Sequence, residues 1–289
     1  MNSNGKTIIS IIICNRRSSI ATELAENIRD TVGVEHEIIA IDNSQGNYNI
    51  FQAYNEGVRR AKGDILCFMH DDILFQGNNW GTIVEDLFKK NEGIGALGVA
   101  GGHIMYNCPC SWWNSDITSL HILTPDSHGQ MDESIHREYA GERTSIEVAS
   151  IDGLWMCIRR SLFDTICFDD KTFSGFHCYD SDICMQILMA GYKIKVTFEI
   201  DILHKGKGNL NAQYYRDIEL WHKKWKDCLP IARGIPVTEK ELAIHQHYAV
   251  KLYERQKEVV GLYKKLQSPE YRLGHFLLKP YRFIKRVIK

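Results

Sequence analysis

Between residues 7 and 100, short apolar runs alternate with helix-forming stretches, and each of the first three runs stops at polar side chains. Residues 7–14 are rich in β-branched side chains and too short for a helix, which suits a strand buried on both faces. A second run, 37–41, ends at Asp42-Asn43-Ser44, and a third, 65–69, ends at His70-Asp71-Asp72. Helices are predicted over 18–29, 50–62 (stopping at Gly63) and 80–90, and another strand over 94–100. This alternation predicts a doubly wound, mostly parallel sheet. In such sheets ligands gather at the carboxyl ends of the strands. Asn15, Asp42, Asp71 and Asp72 stand there.

Farther along, residues 103–145 are rich in His, Trp, Ser and Asp and read as an irregular insertion over the sheet. Order resumes over 146–159, then a helix over 179–190, a strand over 192–196 and a helix over 211–226. Beyond Pro230 the composition shifts to one long polar helix, 239–266, in which Leu252, Val259 and Leu266 recur every seven residues. That stripe offers a seam for a second copy of the chain. The expected division is an α/β domain over 1–232 and a helical extension over 233–289.

A length of 289 residues with 44% hydrophobic side chains can bury a sizeable core without disulfides. The nine cysteines are an odd count placed in apolar runs, the pattern of reduced thiols. Residues 1–6 are polar, with no apolar signal segment, and no run approaches the ~20 apolar residues that cross a bilayer. The expectation is a cytoplasmic protein. From Tyr271 onward six Lys or Arg occur without an acid, interleaved with Leu273, Leu277, Tyr281, Ile284 and Ile288. This basic amphipathic tail predicts attachment to the inner face of an anionic membrane rather than nucleic acid.

Asp71 and Asp72 directly follow an apolar strand, where two adjacent carboxylates are costly unless a cation or donors compensate them. Hard oxygen ligands suit Mg²⁺ or Mn²⁺. Taken alone, the pair also fits a solvated turn. His103, Cys108, Cys110, His121 and His128 invite a zinc reading, but one residue between the cysteines is tighter than structural sites use. Trp112 and Trp113 in that insertion read instead as stacking platforms for an acceptor.

The run Asn55-Glu56-Gly57, Ala61-Lys62-Gly63-Asp64 and Phe68-Met69-His70-Asp71-Asp72 resembles the N-x-G, A-x-G-D and F-L-x-D-D block of inverting GT-A glycosyltransferases of the family-2 type. The resemblance covers roughly residues 7–208 as several ordered blocks. It implies a GT-A fold, Rossmann-like with flanking helices, and transfer of a sugar from a nucleotide diphosphate carrier (UDP-sugar favoured) to a saccharide or lipid-linked acceptor. Surface polysaccharide or glycan assembly is the implied setting. Asp72 is then the metal ligand, Asp71 contacts ribose or metal-bound water, and His70 stands where relatives carry another Asp. Cys14, Asn15 and Arg16 match the end of the family's first strand at the nucleotide, and Asp42 the end of the second at the base. Asn55 falls in the same donor-side block. Asp152 and Trp155, in Asp152-Gly153-Leu154-Trp155, match its acceptor side. Tyr179-Asp180-Ser181-Asp182 resembles the E-D-x-D element, which makes Asp180 the catalytic base, Asp182 a support beside the acceptor, and Tyr179 a replacement for Glu. Asp180 also suits a helix N-cap, and the two roles are compatible. His204 and Lys205, in His204-Lys205-Gly206-Lys207-Gly208, match a metal or diphosphate contact.

Two rival classes share features with this reading. A sugar nucleotidyltransferase needs a Gly-rich loop after the first strand, where this chain has Cys14-Asn15-Arg16-Arg17-Ser18. A non-catalytic nucleotide-sugar binder is favoured by His70 and Tyr179, both departures from the family pattern.

Overall fold

The computed structural model describes residues 7–114, 117–125, 131–206 and 211–269. Its first half runs β1 (Ile9–Asn15), α1 (Thr22–Thr31), β2 (His36–Asp42), α2 (Ile50–Arg60), β3 (Ile65–Met69), β4 (Ile73–Phe75), α3 (Trp80–Lys90), β5 (Ile94–Gly98), β6 (Ala100–Gly102) and β7 (Ile104–Met105). There follow β8 (Thr118–Pro125), β9 (Met131–His136), β10 (Ser145–Val148), β11 (Ser150–Ile151), β12 (Trp155–Arg159), α4 (Tyr179–Met189) and β13 (Lys193–Thr197). The chain continues through β14 (Ile202–His204), α5 (Ala212–Trp225), β15 (Ile231–Ala232) and α6 (Glu239–Gln267).

The main sheet has seven strands in the order β10-β13-β5-β12-β3-β1-β2. β1, β2 and β3 are parallel, β12 runs against β3 and β5, β13 is parallel to β5, and β10 runs against β13. Five of the seven strands therefore share one direction, the mostly parallel sheet expected from the alternation. Ile9, Ile11 and Ile13 point to one face and Ile12 to the other, all fully buried, because helices cover both sides. α2 begins at Asn49, whose side chain and that of Gln52 close a reciprocal capping box. It can lie flat on β1 because Gly57 has no side chain; a Cβ there would sit 2.2 Å from Ile12 Cγ2. On the opposite face Trp80 stacks on Phe75 at 4.3 Å and meets Trp155 edge-on. Each such ring contributes about 2–3 kcal/mol by leaving water.

The 103–145 segment is more ordered than its composition predicts. β8 joins a six-stranded sheet of order β11-β6-β8-β14-β4, and β9 pairs with β8. β9 is almost wholly exposed, with sequence Met-Asp-Glu-Ser-Ile-His, so it lacks the apolar alternation that announces a strand. This second sheet fixes one functionally decisive register. β14 runs antiparallel to β4 with His204 opposite Ile73, which sets the end of one strand beside Asp72 at the start of the other.

α6 docks by its first half. Leu242, Ala249 and Val250 pack against Ile104, Tyr106, Cys108 and Cys110. Gln246 exchanges hydrogen bonds with the Asn107 backbone (2.7 and 3.1 Å). Leu252, Val259 and Leu262 are exposed. Among the described residues no helix is long and apolar enough to cross a membrane. The basic tail from Tyr271 lies outside the described residues, as do His128, Lys207 and Gly208.

Candidate active site

β3 delivers the chain to His70, and the antiparallel neighbour β12 approaches the same point, since the His70 amide donates to the Leu154 carbonyl at 3.0 Å. With β14 arriving from the second sheet, His70, Asp72 and His204 bring one ligand atom each within 4.8 Å of one another. His204 Nε2 lies 3.5 Å and His70 Nδ1 3.9 Å from Asp72 Oδ1. That oxygen is buried and receives no aligned hydrogen bond. The His204 imidazole, opposed by burial and helped by the charges of His70 and Arg16, holds the Asp72 carboxyl down to about 2. Burial pushes His70 below its ordinary value, toward the neutral form in which an imidazole serves as a ligand. The loop after β14 lies so close that a Cβ on Gly206 would meet Asp72 Oδ2 at 2.4 Å. An unsatisfied buried carboxylate oxygen, two imidazoles and a glycine cradle fit a divalent cation, and Asp72, His204 and His70 would hold it.

Asp71 is engaged by Arg16. The guanidinium Nε donates to both Asp71 oxygens (2.9 and 3.1 Å), the Arg16 amide donates to Oδ2 (3.1 Å), and Nη2 reaches Asp72 Oδ2 at 3.1 Å. The Arg16 side chain is otherwise exposed, so its positive charge lies over the acidic pair at the mouth of the site. Asn15 and Asp42 face each other across β1 and β2. Asp42 is exposed and its carboxylate accepts from the Ser44 amide (2.9 Å), which holds its pKa below the usual range. Half-buried Cys14 receives the Asn43 amide at 3.6 Å.

Across the cleft, Cys178 adopts a left-handed conformation (φ +65°) that turns the chain into α4. Its first turn carries Asp180, whose oxygens accept from the Ser181 amide (2.7 Å) and the Gly153 amide (3.3 Å). Burial and the nearby negative charge of Asp152 push the Asp180 carboxyl up to about 7. Asp152 is itself fixed by the Leu154 amide (2.7 Å). A carboxyl poised near neutrality, with no cation paired to it among the described residues, is suited to general-base chemistry.

Three expected contacts, Asn55, Trp155 and Asp182, are placed elsewhere, whereas Lys205 stays beside Asp72. Asn55 gives both ends of its side chain to the Phe168 backbone (2.7 and 3.1 Å), stapling α2 to a loop instead of facing a nucleotide. Trp155 is fully buried in the core beside Trp80 and Phe75, because its place on the central strand β12 turns it inward, away from any acceptor. Asp182 is 1% exposed and accepts from Lys224 Nζ (2.7 Å), Trp225 Nε1 (2.8 Å) and Gln186 Nε2 (2.8 Å), so it ties α4 to α5 and is sealed from an acceptor. Lys205 pairs through its amine with Glu23 (2.8 Å), while its backbone amide donates to the Asp72 carbonyl (2.9 Å).

The residues weighed and set aside for zinc form no metal-binding group among those described. His103 bonds the Arg233 carbonyl and Ser119 (both 2.8 Å), and His121 sits between Glu133 and Asp201. Trp112 is buried, whereas Trp113 is 42% exposed and stacked on Tyr214.

Sequence reasoning assigned no role to His70 as a ligand, to Lys224, or to Phe176. His70 could have been found from its place beside the acidic pair. Nothing local marks Lys224, which lies 42 positions from Asp182. Phe176 is 51% exposed with its ring 6.1 Å from that of His70.

Residues 10–259 match the Glycosyltransferase like family. This chain belongs to that family. Its His70, Asp72 and His204 form a group that could hold a divalent metal ion. No curated protein matches it significantly. Among solved structures, it is similar in fold to a crystal structure of GalNAc-T7 with UDP, GalNAc and Mn²⁺. The TM-score is 0.51 at 11% identity, covering 78% of this chain and 50% of that one, so the chain spans half the length of this relative. A second match, A197 from STIV, has a TM-score of 0.39 at 13% identity, covering 81% and 97% of the two chains. The likeness to GalNAc-T7 supports the GT-A architecture with its helical extension.

Proposed function

We propose that the enzyme moves a sugar from a nucleoside diphosphate carrier to a hydroxyl of a saccharide or lipid-linked acceptor, with inversion at the anomeric carbon. The observation that carries this reading is the opposition of two unlike carboxylates. Asp72, held at about 2, stays ionised beside His70 and His204, and Asp180, raised to about 7, pairs with no cation among the described residues. A divalent ion bound by the first group neutralises charge that develops on a departing diphosphate.

The protein's own residues do the rest. Arg16 can leave Asp71 for a phosphate, since its side chain is 70% exposed and held only by hydrogen-bonded ion pairs with Asp71 and Asp72. Asp71 is then released toward the ribose. Cys14, Asn15 and Asp42 line the strand ends where a base would lie, and Lys205 can exchange Glu23 for the diphosphate. Asp180 takes the acceptor proton onto a carboxylate oxygen as the hydroxyl oxygen attacks from the face opposite the leaving group. Asp152 keeps Asp180 basic. The exposed face of Phe176, next to the metal ligands, offers an apolar surface for the acceptor ring, and Trp113 a second one farther out. UDP is the favoured carrier nucleotide, in keeping with the UDP in the GalNAc-T7 structure.

The test is release of free nucleoside diphosphate from a panel of nucleotide sugars with Mn²⁺ or Mg²⁺, alongside thermal shifts for binding. Donor-dependent release with an added glycan acceptor is expected. Binding of a donor with no release under any acceptor would leave the non-catalytic alternative standing.

The location of the enzyme is part of the same proposal. The basic amphipathic tail from Tyr271 would hold it at an anionic membrane on the cytoplasmic side, and exposed Leu252, Val259 and Leu262 on α6 would pair with a second copy. Co-sedimentation with anionic vesicles should be lost in a chain ending at Ser268 and weakened by salt. Equal sedimentation of both forms would refute the membrane role, and a monomeric mass at micromolar concentration would refute the pairing.

A further inference from the structure

His70 and Tyr179 lie 109 positions apart, and the imidazole Nε2 meets the Tyr179 hydroxyl at 2.7 Å. These are the two side chains by which the chain departs from the pattern it otherwise follows at this site. The Tyr179 ring is itself immobilised. It is buried, packed edge-on by Phe51 and Tyr54, and flanked by Phe176. Its hydroxyl presses on Gly153 so closely that a Cβ there would sit 2.1 Å away. A hydroxyl fixed on this side of the imidazole leaves the opposite nitrogen, Nδ1, as the one turned toward Asp72 Oδ1 and His204.

We propose that Tyr179 is a positioning residue for the metal centre: its hydroxyl accepts the Nε2–H of His70 and holds the ring in the tautomer and orientation that present an unprotonated Nδ1 to a divalent cation. A neutral imidazole carries one ring proton, so a hydrogen bond that keeps it on Nε2 keeps the lone pair on Nδ1. Metal-bound histidines depend on such a partner at the other nitrogen, and losing it typically weakens metal affinity by about 10- to 100-fold. Tyr179 thus acts on the metal through His70, without touching the ion or the substrate. The inference rests on the divalent-metal reading of the cluster and deepens it.

The experiment measures Mn²⁺ affinity of the full chain by the free-ion electron paramagnetic resonance signal, with no donor present, so transfer activity is not the readout. Tyr179→Phe removes one oxygen and adds nothing to the contact with Gly153. The expected result is affinity lowered about 10-fold or more, with the metal-free melting temperature confirming the fold. His70→Ala should lose at least as much, and the double variant should bind no more weakly than His70→Ala alone, because Tyr179 has no other route to the metal. Unchanged affinity in Tyr179→Phe, or fully additive losses in the double variant, would overturn the proposal. Should Tyr179→Phe not fold, pulsed spectra of the Mn²⁺-loaded parent decide it. Two coupled imidazole nitrogens are expected, falling to one in His70→Ala, and a parent count of one overturns it. A parent that binds no Mn²⁺ at all removes the metal reading, whereas a parent that binds and a Tyr179→Phe that binds equally removes only the role of Tyr179.

Discussion

The first turn of α4 holds two aspartates with opposite fates. Asp180 faces the cleft with two amide donors and the Ser181 hydroxyl around it and another carboxylate, Asp152, nearby; its carboxyl rises to about 7. Asp182 faces α5, where burial pushes it up while Lys224, Trp225 and Gln186 pull it back. It is the more deeply buried of the two by exposed surface, and it is the structural anchor. What separates a base from an anchor here is the company of a cation, and burial alone does not decide it.

The largest effect that tests this contrast is on turnover. Asp180→Asn should lower kcat by about 10² to 10⁴ with the melting temperature nearly unchanged. Asp182→Asn should mainly lower stability; if instead it abolished turnover with the fold intact, the two roles would have to be exchanged.

Lys224→Met breaks the anchor from the other side. It strands the buried Asp182 carboxylate and removes the Asp169 partner as well (2.7 Å). A loss of about 3 kcal/mol in denaturant unfolding is expected. A loss below about 1 kcal/mol would mean that the pair behaves like a surface contact.

The pH response comes next. The folded pKa of Asp180, about 7, lies above the ~3.9 of an unfolded aspartate. This group therefore favours the folded state at low pH and withdraws that contribution as pH rises through about 7. Turnover needs the carboxylate, so kcat/KM should rise over the same window and then level. Asp152→Asn removes the neighbouring charge and should move the midpoint to lower pH. An unmoved midpoint would leave burial as the whole cause.

Asn55→Ala should have the smallest effect, about 1–2 kcal/mol of stability from two lost hydrogen bonds, with donor affinity unchanged. A selective loss of donor binding would restore the nucleotide role that its neighbours in sequence suggest.

Much of this was legible in the chain itself. The run of residues 65–69 is β3, the helix over 80–90 is α3, and the acidic pair at the end of the third strand does stand at the site. These are local signals: period, composition and the polar stop. Trp155 was misread because its neighbours Asp152 and Gly153 do line the cleft, while the strand turns the tryptophan inward three residues later. Asp182 was misread because its cation comes from another helix. β9 was missed because its side chains are mostly solvated. In each case the deciding partner arrives through tertiary packing, which no window of sequence contains.

The β14–β4 register has a consequence for how the molecule is assembled. Asp72 and His204 are separated by 132 positions (204 − 72), so their meeting requires nearly the whole catalytic body to be in place. An ion shared between them acts as a non-covalent tie across that long loop, opposing its opening much as a cross-link would. At 100 times its dissociation constant it would add about 2.7 kcal/mol to the folded state. Metal supply then governs the lifetime of the folded chain as well as its chemistry. A chain cut before β14 would keep Asp72 and lose the tie.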